Sequence, residues 1–146
     1  MRDEITARLL RQKVVKGIKW KDVADEIGCS KEWTAAACLG NMKFSQEQAE
    51  KIKEIFQLDD EATKWLQQIP ARGQQADSLK NDPLIYRWHE IISVYGPALK
   101  EIIQEEFGDG IMSAVDFTMD IQKMSSPKGD RVEVTLSGKF LPYRDF

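Results

Sequence analysis

Apolar residues recur at helical spacing through the first 68 positions and alternate with polar ones after residue 110. Ile5, Leu9 and Leu10 share one helical face, and Val23, Ala24 and Ile27 share a second. Gly28 is placed to stop that second helix and Ser30 to cap a third, which Gly40 and Asn41 end. Ser45 and Gln48 have the spacing of a capping box, with Ala49, Ile52, Ile55 and Phe56 on the face that follows. Asp59 or Asp60 caps a fifth helix, whose inward positions are Ala62, Trp65, Leu66 and Ile69; Pro70 closes the run.

Residues 71–82 are polar and read as a linker. Asp82 and Pro83 then supply a cap and a first helical residue. Leu84, Ile85, Trp88, Ile91, Ile92 and Tyr95 form a stripe expected to be buried, with Arg87, Glu90 and Val94 on a stripe beside it. Gly96-Pro97 is expected to break or re-cap this helix, and Leu99, Ile102 and Ile103 to carry the burial on to Phe107. Beyond Gly110 the period becomes two. Val115, Phe117, Met119 and Ile121 alternate with polar residues, 125–130 reads as a turn, and Val132, Val134 and Leu136 alternate again. This predicts a β-hairpin, which needs helices or another chain to hold it. Phe140, Leu141, Tyr143 and Phe146 make the end look docked. The fold class is mainly α with a small C-terminal β-hairpin, an α+β chain.

Bulk numbers exclude several classes. At 146 residues, 42% hydrophobic and 31% charged, the chain has an ordinary globular composition. No apolar run approaches the roughly 20 residues of a membrane span, and the charged N-terminus does not read as a signal peptide. A cytoplasmic protein is therefore expected. Cys29, Cys38 and the single His89 are too few for a closed zinc site of about four ligands. Free thiols in a reducing compartment are the expected state.

Residues 20–56 have the helix-turn-helix spacing of repressors, so a transcriptional regulator with a C-terminal dimerisation domain is one functional class. The charge argues against it. From Trp20 to Leu66 six Lys and no Arg face ten Asp and Glu, a net of −4 that phosphate would repel. The segment 30–39 carries no Arg, Asn or Gln for pairing with base edges. An assembly role without nucleic acid is the expectation for this region.

Chemistry concentrates in residues 83–115. Arg87 and Glu90 stand three apart on one helix, and the turn Gly108-Asp109-Gly110 leads to Ser113. An Arg, a carboxylate and a hydroxyl suit small anions, because Arg stays protonated and presents a planar fork to oxyanions. No base lies near Ser113 in sequence, so a nucleophilic role has no support. Taken alone, an Arg–Glu pair at this spacing is usually a solvated surface pair, and a Ser after a Gly-rich turn is usually a turn residue.

The segments Tyr86-Arg87-Trp88-His89-Glu90, Tyr95-Gly96 and Phe107 to Ala114 together resemble the signature of the cyanase (cyanate hydratase) family. Ile69 to Gly73, Asp82-Pro83 and Gly138 to Pro142 are also similar to its pattern. The resemblance implies a lyase that decomposes cyanate with bicarbonate as co-substrate, through carbamate, to ammonia and carbon dioxide, with no metal or organic cofactor. It implies Arg87, Glu90 and Ser113 as the catalytic residues: Arg87 to bind and neutralise the anions, Glu90 to orient it, Ser113 to hydrogen-bond substrate. It further implies a homodecamer of interlocked dimers with sites shared between subunits. The expected domains are 1–75, helix-turn-helix-like and serving assembly, and 76–146, catalytic and dimerising. His89 is not demanded by the motif and points to another side of the helix from Arg87.

Overall fold

A computed structural model describes residues 1–73 and 76–145, and its path divides into two units, Met1–Arg72 and Gly73–Phe146. The expected domain junction lies between residues 75 and 76; positions 74 and 75 lie outside the described residues, as does Phe146.

The first unit contains α1 (Arg2–Lys16), α2 (Trp20–Ile27), α3 (Lys31–Cys38), α4 (Gln46–Phe56) and α5 (Asp60–Leu66). Local signals set their limits. Ser30 accepts from the Trp33 N–H, Ser45 and Gln48 close their box reciprocally, and Asp59, rather than Asp60, accepts from the Ala62 N–H. Gly28 ends α2 in the left-handed region at φ 76°, which Gly adopts without penalty. Leu9, Val23, Cys38, Phe44, Ile52, Phe56 and Leu66 are fully enclosed in one core. Burying each large apolar side chain is worth about 1.5–3 kcal/mol. Trp33 meets Phe44 edge-on in this core, with ring centroids 5.6 Å apart. Ile69, expected to face inward, is exposed. Helix α5 stops at Leu66, so Ile69 has left the face that Ala62 and Leu66 define.

The second unit contains α6 (Ala76–Leu79), α7 (Pro83–Phe107), β1 (Gly110–Met124) and β2 (Arg131–Pro142). The segment read as linker thus includes one helical turn. Asp82 caps α7 by accepting from the N–H groups of Leu84 and Ile85. The expected break at Gly96-Pro97 does not occur: α7 runs unbroken for 25 residues, roughly 37 Å. The reason is local. Proline normally pushes the residue before it out of the helical region by clashing with that residue's Cβ, and Gly96 has none.

The burial expected along α7 is also absent, because no residue of this helix is buried within the single chain. Leu84, Ile92, Val94 and Tyr95 are each at least 60% exposed. The hairpin has the predicted strands, paired antiparallel, but lies mostly open. Val115, expected on an apolar face, is 96% exposed because the register shifts around it. A ring contact ties the hairpin to the end of α7, and a hydrogen bond joins the chain after β2 to the turn before β1. The Phe107 and Phe140 rings stand 5.2 Å apart, and the Tyr143 N–H donates to the Asp109 carbonyl at 3.1 Å. The expected docking of the chain end is therefore limited, and the Tyr143 side chain remains exposed.

Candidate active site

Helix α7 sets the first two site residues. Three positions apart on one helix, Arg87 and Glu90 project from neighbouring points of one face. Arg87 Nη1 donates to Glu90 Oε2 at 2.9 Å. Both side chains are open to solvent, at 66% and 51%. Screening by water leaves such a pair a stabilisation of a few tenths of a kcal/mol at most. Its effect is geometric: one Nη is held while the other guanidinium edge stays available for an oxyanion.

Ser113 lies in β1. It is the only buried residue of the second unit among those described, with 6% of its surface exposed. The route from α7 runs through Gly108, whose N–H donates to the Gln104 carbonyl and whose φ of 91° turns the chain out of the helix. Gly110 then starts the strand, where a Cβ would overlap the Leu141 carbonyl.

The Ser113 hydroxyl is not idle. Its Oγ accepts from the Val115 N–H at 3.1 Å and from the Asp116 N–H at 2.8 Å. A serine hydroxyl has two acceptor positions and one donor. Both acceptor positions are thus taken by backbone amides, and the O–H is left to donate. Low exposure strengthens the polarisation these amides impose. The geometry therefore favours donation. The two clasping amides escaped sequence reasoning, since nothing in the residue types at 115 and 116 announces them.

The structure brings Arg87 and Glu90 together and leaves Ser113 apart. Among the described residues no hydrogen bond joins Ser113 to either of them. His89, two positions from Arg87, contributes its carbonyl to the Ser93 hydroxyl at 2.9 Å. Among the described residues no three His, Cys, Asp or Glu side chains gather into a possible metal site, and no helix is long and apolar enough to cross a membrane.

Comparison with known proteins bears on these residues through both units. The cyanate lyase C-terminal domain model matches residues 77–145, and the cyanate hydratase N-terminal model matches residues 2–70. The chain is 57% identical to the cyanate hydratase of Variovorax paradoxus over 99% of both chains. It is 55% identical to that of a Polaromonas species, again over 99% of both. The crystal structure of cyanase from T. urticae superposes with a TM-score of 0.84 at 37% identity, over 94% of this chain and 96% of that one. The likeness covers the helical unit, the long helix and the hairpin alike, and the chain belongs to the cyanate hydratase (cyanase) family of lyases.

Proposed function

We propose that this enzyme decomposes cyanate with bicarbonate, releasing ammonia and carbon dioxide through carbamate. The observation that supports the residue assignment is the exposed, glutamate-held guanidinium of Arg87; the Ser113 hydroxyl, apart from it in the single chain, is left to donate. Family membership supports the substrate.

The chemistry sets the demands. Both reactants are anions, and two unit charges 4 Å apart repel by roughly 4 kcal/mol at an effective dielectric near 20. Arg87 offsets that repulsion, and Glu90 fixes its orientation. A bicarbonate oxygen attacks the cyanate carbon, and the cyanate nitrogen takes up bicarbonate's own proton and one from solvent. The adduct loses carbon dioxide and leaves carbamate. A second proton converts carbamate to ammonia and another carbon dioxide. Charge developing on the adduct's oxygens is stabilised by donors already in place, a role that falls to Arg87 and the Ser113 O–H. No organic cofactor or metal enters these steps.

One Arg87 leaves one of the two negative charges over. Two copies of the chain meeting at a shared site supply two, and the open apolar face beside Arg87 on α7 is suited to such a meeting. The proposed assembly is a homodecamer built from dimers, acting in the cytoplasm, with no nucleic-acid partner.

The test is ammonia release from cyanate, with and without added bicarbonate. Bicarbonate-dependent release is expected. Well-folded protein that releases none under either condition overturns the reading.

A further inference from the structure

The two strands of the hairpin keep one register from Met124↔Arg131 to Phe117↔Gly138 and another from Met112↔Phe140 to Gly110↔Pro142. Between these stretches four residues of β1, Ser113 to Asp116, stand opposite the single Lys139 of β2. An irregularity of this kind re-aims side chains locally. Here the surplus chain curls over Ser113, whose hydroxyl collects the Val115 and Asp116 N–H groups.

The curl is seated on Gly138. A Cβ at that position would overlap the Ser113 carbonyl oxygen and come within 2.6 Å of Met112 Cγ. The Met112 side chain is flexible and could yield. The Ser113 carbonyl is backbone, so relief there has to move Ser113 itself. Gly138 is not among the glycines with positive φ. The requirement for glycine at 138 is therefore one of space, and it falls on the backbone of the residue that carries the hydroxyl.

We propose that Gly138 is a positioning residue for the Ser113 hydroxyl, 25 residues away in sequence, and sets where its O–H points. The proposal rests on the reading of Ser113 as a substrate donor. A methyl group at 138 displaces the Ser113 carbonyl, opens the clasp formed by the two amides and mis-aims the donor. Misplacement of about 1 Å at a reacting group costs on the order of 100-fold in rate.

Four full-length chains test this: wild type, Gly138→Ala, Ser113→Ala and the double variant. Ammonia release, assembly mass and amide hydrogen exchange at Val115 and Asp116 are measured for each. Expected for Gly138→Ala are unchanged mass, a loss of about 100-fold in turnover, and exchange at those two amides faster by about tenfold or more. In the Ser113→Ala background, Gly138→Ala adds less than about threefold, because both changes act on one group. Wild-type turnover by Gly138→Ala alongside an inactive Ser113→Ala overturns the proposal and spares the reading of Ser113. Wild-type turnover by Ser113→Ala overturns that reading and the proposal with it. Losses that multiply in the double variant show that Gly138 acts elsewhere. Should Gly138→Ala fail to assemble, Met112→Ala/Gly138→Ala removes the side-chain overlap and keeps the one with the Ser113 carbonyl. Full turnover by that chain, or its failure to assemble as well, overturns the proposal.

Discussion

The Arg2 guanidinium donates to the Ala37 carbonyl at 2.6 Å, joining the first turn of α1 to the last turn of α3. The same group reaches the Met42 carbonyl at 3.3 Å and the Trp65 carbonyl at 3.5 Å, and lies over the Phe44 ring. Carbonyls at a helix end lack intrahelical partners and favour a cation. Burial disfavours the charged form and lowers the Arg2 pKa, although arginine stays protonated at any ordinary pH. The Ala37 and Trp65 carbonyls also accept from the Gly40 and Gln68 N–H groups, so Arg2→Ala removes charge-assisted bonds without stranding those two carbonyls, at a cost of about 1.5–3 kcal/mol. Thermal unfolding should show a melting temperature lower by several degrees, with turnover of the folded enzyme unchanged.

Cys38 lies beneath that contact and gives a pH prediction. Burial pushes its thiol from an ordinary 9 up to about 12, against the pull of the Arg2 charge. A raised folded pKa favours the neutral thiol in the native state. Its contribution to stability is therefore complete below about pH 9 and is lost as pH rises toward 12. Denaturant midpoints measured from pH 8 to 11 should fall more steeply for wild type than for Cys38→Ala. The same burial predicts that, of the two thiols, a disulfide reagent at pH 8 labels Cys29, which is partly exposed, and spares Cys38 until the protein unfolds.

Lysine at position 87 would keep the charge and lose the fork. Its ammonium cannot hold the Glu90 carboxylate with one nitrogen while offering another edge to an oxyanion. Arg87→Lys is expected to lower turnover about 100-fold or more with assembly mass unchanged. Steady-state ammonia release and light scattering check both parts, and near wild-type turnover would sink the assignment of Arg87.

Assembly has its own measurement. A decamer scatters light as about ten times the 16.7 kDa chain. Replacing Ile92 by Asp puts a charge on the exposed apolar face of α7. It should reduce the mass to that of smaller species while the helical signal of the first unit persists. A mass unchanged by Ile92→Asp would exclude this face as an interface.

Helix limits were legible because capping is local. Ser30, Ser45, Asp82 and Gly28 each act within a few residues of their own position. The passage of α7 through Gly96-Pro97 escapes a reading of proline alone, because the residue before it lacks the Cβ that would clash. Apolar stripes on α7 were correctly placed on the helix, but none of their residues is buried within the single chain. Periodicity tells which face is apolar and says nothing of what lies against it. At the site, the i,i+3 spacing of Arg87 and Glu90 made their pairing readable. The clasp around Ser113 was not readable, because it depends on the register against β2.

The contrast between an enclosed first unit and an open α7 also orders folding in time. The helices of residues 2–66 bury their core using neighbours close in sequence, and such local topologies form fast. A long helix with no buried residue gains nothing comparable from its own chain. On the proposed assembly, other copies cover this helix, and that part of refolding is expected to accelerate with protein concentration while the first part does not. On that assembly, dilution is expected to act on the second unit as a denaturant does.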